Sequence, residues 1–176
     1  GKITAANKGI GLYGNKGKIT LAAPINVETS TQGTGIYLTN GSYLTGSKIT
    51  LKNTGVAAAG VYYTKGNNNN EVVHNNELAV NSGSNLLALY LDNGVKVKNN
   101  ADITVTGGAK NVGAFVTKGS TLTNDKTIKV GATSGYTDGM GIYVQHGTAT
   151  NNAGKLIEVL DNSANSVSVA MAANGA

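Results

Sequence analysis

The stretch that decides the fold is Gly141-Ile142-Tyr143-Val144-Gln145-His146-Gly147, because its outline returns throughout the 176 residues. Gly11-Leu12-Tyr13, Gly35-Ile36-Tyr37, Gly60-Val61-Tyr62, Ala88-Leu89-Tyr90 and Gly113-Ala114-Phe115 precede it in order, and Val169-Ala170-Met171 reads as a decayed seventh copy. Successive copies lie 24, 25, 28, 25, 28 and 28 residues apart. A glycine stands four residues after each aromatic position: Gly17, Gly41, Gly66, Gly94, Gly119, Gly147 and Gly175. Six of the nine Tyr and Phe residues fall in that one column, which only a structural repeat explains.

Each copy carries a second apolar pair, Ile25/Val27, Ile49/Leu51, Leu78/Val80, Ile103/Val105, Ile128/Val130 and Ile157/Val159. The residue inside each pair is mostly polar, the period-two alternation of a half-buried strand. Between the two strands lies a third column, Leu44, Val73, Val97 and Leu122, followed two residues later by Asn75, Asn99, Asn124 and, in the next copy, Asn152. Two or three short strands per copy, glycine corners and no helical period predict a parallel β-helix, or β-solenoid. About seven rungs of 24–28 residues form a single segment over residues 1–176, with incomplete rungs at both ends. Asn67 to Asn70 are four extra residues and read as a loop inserted at one corner. Vertically stacked asparagines can hydrogen-bond up the rod.

The first strand implies an orientation. The positions three before, one before and one after each aromatic are mostly aliphatic, as in Leu87, Leu89 and Leu91. If side chains alternate along a straight strand, this face is buried. The opposite face then shows a flat glycine strip beside a ladder of Tyr13, Tyr37, Tyr62, Tyr90, Phe115 and Tyr143. Such a strip suits stacking on sugar rings or on a partner chain. Rings that stack on one another and wall off the sheet are the alternative. The residue before each repeated glycine is Lys16, Lys65 or Lys118 in alternate copies, and Asn or His in the others. That pattern suits tight turns and spaces the charges into a ridge that could meet anionic glycans.

Composition narrows the function. The formal charge is +5, but all fourteen cations are lysine. Base readout and tight phosphate clamps favour the arginine fork, so nucleic acid is not expected as a partner. With no cysteine there is no disulfide, thiol nucleophile or thiolate metal site. No apolar run is long enough to cross a bilayer as a helix, so direct membrane insertion of this segment is not expected. The opening Gly1-Lys2-Ile3-Thr4 lacks a start methionine and a leader, and reads as that of an excised segment.

Two tempting motifs are weak. Gly9-Ile10-Gly11-Leu12-Tyr13-Gly14 fits G-x-G-x-x-G but has no helix after it, and the repeat already accounts for its glycines. Solenoid polysaccharide hydrolases need carboxylates within about 5–9.5 Å. Here the nine acids scatter, and Glu28 and Glu158, read as one column, stand five rungs apart. No enzyme activity, metal or cofactor is expected. His74 and His146 read as surface or turn histidines more than two rungs apart.

The unit G-φ-Y-φ-x-x-G followed by N-x-x-x-I-x-V resembles the passenger repeats of type V autotransporter adhesins, most of all the large fusobacterial outer-membrane adhesins. The resemblance implies a right-handed β-helix on the bacterial cell surface, exported through a C-terminal barrel outside this stretch. It also implies attachment to a glycoprotein or glycan on host cells or on other bacteria. No receptor-binding motif carries over to named positions. The expectation is an adhesin segment that displays repeated side chains on a rod. An inert stalk and a carbohydrate-active solenoid stand as alternatives.

Overall fold

The structure, a computed structural model, describes residues 1–131, 138–160 and 167–175. These residues form twenty strands and no helix. The chain climbs from rung to rung, and every strand pairs in parallel with its equivalent in a neighbouring copy. One face is a seven-stranded sheet running from Lys2–Ala5 through Ile25–Thr29, Ile49–Asn53, Leu78–Gly83, Ile103–Val105 and Ile128–Gly131 to Ile157–Leu160. The second, also seven-stranded, carries the aromatic column, from Ile10–Asn15 to Val169–Asn174. This is a β-solenoid of about six turns.

The third face is split. Lys18–Leu21 pairs with Tyr43–Gly46, while Glu71–His74, Lys96–Asn99, Thr121–Asn124 and Thr148–Asn151 form a separate sheet. The break falls where the third copy is longer. Glu71 pairs with Lys96, so Gly66 to Glu71 spans five positions where Gly94 to Lys96 spans two. The insertion is therefore three residues rather than four, and the columns after it shift by one. Val72, not Val73, faces the core beside Val97.

The predicted apolar pairs are the inner lining. Val27, Ile49, Leu51, Leu78, Val80, Ile103, Val105, Ile128 and Val130 are buried, each contributing about 1.5–3 kcal/mol of transfer free energy. Facing them are Ile36, Leu38, Val61, Leu89, Leu91, Ala114, Val116 and Ile142 of the second sheet. The residues three before the rings are less enclosed, with Ile10 49% exposed.

The glycine strip is a correction. It lies inside, not on the surface. A Cβ built on Gly35 would meet Val27 Cγ1 at 2.3 Å, and one on Gly60 would meet Leu51 Cδ1 at 2.5 Å. Ala88, at the same place one rung on, is fully buried. The chain bends at the glycine, so two consecutive residues face inward before alternation resumes. Ladder pairing skips this position: Ile10 partners Thr34 and Leu12 partners Ile36. Parity counts hold only along a straight strand, and glycine often marks such a corner.

Asparagine does form a vertical ladder, over Asn99, Asn124 and Asn151 rather than Asn152. Asn99 Nδ2 donates to Asn124 Oδ1 at 2.8 Å, and Asn124 Nδ2 to Asn151 Oδ1 at 2.7 Å. Each amide also donates to a carbonyl of its own corner, Ala101, Lys126 or Lys155. Asn75 lies one place outside this column, and His74 occupies it. His74 is fully buried, not a surface histidine, and shares a 3.1 Å hydrogen bond with the Tyr63 hydroxyl. The last copy also shifts: Met171 pairs with Ile142, and Ala172 stands beside Tyr143.

Register is reinforced between rungs. Lys2–Glu28, Lys48–Glu77, Lys98–Asp125, Lys118–Asp92 and Lys129–Glu158 each join neighbouring copies. Surface pairs of this kind contribute little one by one, and of the five acids only Asp92 is buried, but only the correct register allows all five together. Glu28 pairs across to Lys52, whereas Glu158 pairs across to Lys129, so the two acids belong to different columns.

Candidate functional site

The aromatic column lies on the outer surface of the second sheet. Each ring directly follows the bent glycine corner, which turns it away from the core. Tyr13 is 55% exposed, and Tyr37, Tyr62, Tyr90, Phe115 and Tyr143 are half-buried. The rings touch in an unbroken series, with centroid separations of 5.7, 4.8, 4.5, 5.4 and 5.2 Å. Four contacts are stacked, and the Tyr37–Tyr62 pair meets edge to face. The separations follow the rung spacing of about 4.8 Å. Each ring thus covers part of its neighbour and leaves an edge toward solvent. Beside Tyr62 and Tyr90 lies a shallow depression of about 200 Å³, floored by Ala58 and Ala59.

The lysine positions occupy the next corner. Lys16 and Lys118 have φ of +56° and +48°, and Asn40 and Asn93 share this left-handed conformation. Asn40-Gly41, Asn93-Gly94 and Lys118-Gly119 have positive φ at both residues, the pattern of a type I′ turn. A left-handed lysine costs about 1–2 kcal/mol, so the turn is imposed by the rungs on either side. Lys16 and Lys118 are exposed, whereas Lys65 is half-buried against the Gly94 turn.

One residue joins ladder to corner, and the repeat did not single it out. Asp92 is buried in a column otherwise held by Asn15, Thr39, Thr64, Thr117, Gln145 and Asn174, all neutral. It accepts a 2.6 Å hydrogen bond from the Tyr62 hydroxyl and a 3.2 Å ion pair from Lys118. A lone acid in a neutral column was the available signal. Burial raises the pKa of Tyr37, Tyr62 and Tyr90 above the usual phenol value, and the Asp92 charge raises them further. Tyr37, Tyr62 and Tyr90 are therefore neutral at physiological pH.

The structure thus joins Tyr13, Tyr37, Tyr62, Tyr90, Phe115 and Tyr143 into one strip and links Lys118 to it. Lys16 belongs instead to a cleft at the inserted loop, described below. His74 and His146 are far apart along the rod, one buried and one exposed. Among the described residues no three His, Cys, Asp or Glu side chains gather as a metal site would require. None of their helices is long and apolar enough to cross a membrane. No family model, curated protein or solved structure matches this chain.

Proposed function

We propose that the chain is a rod segment of a bacterial surface adhesin and that its aromatic ladder makes repeated contacts with glycans or glycoproteins. The observation that carries this reading is the unbroken strip of six rings, partly exposed along one side of the solenoid. Ring edges repeated at rung spacing, with tyrosine hydroxyls among them, suit the alternating CH and OH edges of a sugar chain. Each contact is weak, and a fixed array multiplies weak contacts into avidity. The resemblance to autotransporter passengers supports the same placement at the cell surface.

The contacts between the rings favour a second reading. Stacked rings satisfy one another, and pairs of this kind contribute about 0.5–1.5 kcal/mol beyond area burial. On that reading the ladder stiffens a stalk and recognition lies elsewhere. The two separate in one experiment. The folded segment on beads is applied to epithelial cells and to partner bacteria, with free sugars as competitors, beside the variant Tyr37→Ser/Tyr62→Ser/Tyr90→Ser. A contact ladder predicts saturable, sugar-sensitive adhesion that the variant loses while it stays folded. Absence of adhesion by the parent segment, or adhesion unchanged in a folded variant, refutes the ladder as the binding surface.

A further inference from the structure

The break in the third face opens a second site. Where Tyr43–Gly46 and Glu71–His74 fail to pair, the inserted loop lies against the Asn40–Gly41 turn and borders a cavity on each side. The larger, about 610 Å³, has Lys16 and Lys18 on its rim and Asn40 and Asn67 along its wall. The smaller, about 330 Å³, reaches to Val72, Val73 and Asn75. Tyr43, Gly41 and Asn68 border both, so the two are lobes of one cleft divided at the loop. Both volumes fall within the roughly 300–1,000 Å³ of small-ligand sites.

The cleft is held open by its own bonds. Asn68 Nδ2 donates to the Asn40 carbonyl at 3.3 Å, and Asn68 Oδ1 accepts from the Asn70 amide at 2.8 Å. Asn40 Oδ1 accepts from the Asn67 amide, and Asn40 Nδ2 donates to Asn15 Oδ1. Gly41 leaves room for this arrangement, since a Cβ there would meet Asn68 Nδ2 at 2.1 Å. Pre-organisation of this kind lowers the entropic cost of binding. The Tyr43 ring, 37% exposed, stacks on no other ring among the described residues. Lys16 and Lys18 are exposed and take part in none of the ion pairs among the described residues. No acid lines the larger lobe, and Glu71 lines the smaller.

We infer that this cleft binds a carboxylate-bearing oligosaccharide, with the acidic sugar between Lys16 and Lys18 and a neutral neighbour across Tyr43. The chemistry is specific to that class. An aromatic ring stacked on no other described ring offers its exposed side to sugar CH groups, side-chain amides match vicinal hydroxyls, and two exposed ammonium groups with no ion pair among the described residues answer one carboxylate. The acid in the second lobe selects a neutral unit there. This deepens the adhesin reading and rests on it for the glycan's place outside the cell.

The test is titration of the folded segment with 3′-sialyllactose, with trigalacturonate and with lactose, read by saturation-transfer NMR and calorimetry. At least one acidic probe binds about tenfold more tightly than lactose. Sialyllactose alone marks a terminal sialic acid as the source, and trigalacturonate alone marks a polyuronate. Tyr43→Ala weakens binding about tenfold, and Lys16→Gln/Lys18→Gln removes the preference for the acidic probe. Both variants change exposed side chains and retain the parent's sheet spectrum and melting temperature. Tyr37→Ser/Tyr62→Ser/Tyr90→Ser leaves probe binding intact even if it abolishes bead adhesion, so the failure of one site is separable from that of the other. Binding of neither acidic probe, binding indifferent to the Tyr43 and lysine variants, or equal binding of a polyglutamate peptide overturns the inference.

Discussion

The inward glycine column makes a prediction whose sign is opposite to that of a surface strip. Gly60→Ala adds one methyl group. A Cβ at this position lies 2.5 Å from Leu51 Cδ1 and 2.8 Å from the Ala88 carbonyl oxygen. Carbon atoms in good contact sit about 3.5–4.0 Å apart, so Leu51 must move by about an ångström. Leu51 is 1% exposed and has no open side into which to swing. Overpacking of this kind costs about 1–3 kcal/mol. Replacing glycine by alanine in a strand returns about 0.5–1 kcal/mol of backbone entropy, so the net loss centres near ~1 kcal/mol and reaches at most about 2.5 kcal/mol. For a chain of this length the central value lowers the melting temperature by roughly 2–4 °C. Thermal melts followed by far-UV circular dichroism measure it. A second variant fixes the cause. In a Leu51→Ala background the side-chain clash is gone and only the Ala88 carbonyl contact remains, so Gly60→Ala lowers the melting temperature less than it does in the parent. The difference corresponds to a coupling of about 0.5–3 kcal/mol. If Gly60→Ala by itself leaves the melting temperature unchanged or raises it, the column faces solvent and the reasoning fails.

Three further outcomes are expected. Burial lowers the His74 pKa from 6.5 to about 4, against the opposing pull of the Asn76 backbone. Below pH 6.5 the unfolded chain takes up a proton that the folded one refuses, so stability falls as pH drops toward 4, by up to roughly 3 kcal/mol, and is fully present above pH 7. Denaturant titrations across that range measure this, and a flat profile for the parent refutes it. The double variant Tyr63→Phe/His74→Asn extends the asparagine column and gives Asn99 Oδ1, which is buried without a partner, a donor from the rung below. It abolishes the pH slope in the same titrations and stabilises by about 1 kcal/mol, whereas a destabilised variant contradicts the ladder argument. Asn124→Ala removes the amide bonded to Asn99, Lys126 and Asn151, at a cost of about 2–3 kcal/mol in urea denaturation. The same change at half-exposed Asn151 costs less, and equal costs would argue against burial as the cause.

The residues reveal the architecture through redundancy. Six apolar pairs and six aromatic positions recur at spacings no helix uses, and the structure pairs Ile25, Ile49, Leu78, Ile103, Ile128 and Ile157 in register as the spacing requires. Periodicity is a property of the chain and survives without coordinates. The aromatic column was legible for the same reason, since rings at equivalent positions of stacked rungs must become neighbours.

Direction and register at the corners belong to the tertiary structure. Whether Gly35 and Gly60 point in or out depends on a bend that packs them against Val27 and Leu51, residues of another sheet that no count along one strand can place. The insertion hides its length because a loop has no period. Only the pairing of Glu71 with Lys96 shows that three residues were added, which puts His74 into the asparagine column and Val72 into the core. The Tyr43 cleft exists because that loop interrupts pairing in space, and Asp92 joins the ladder because Tyr62 and Lys118, on the rungs to either side, converge on it. The sequence alone determined the stacking, because every rung repeats the same chemical demand. The fold decided the exceptions, because each depends on contacts between residues whose only relation is their position in three dimensions.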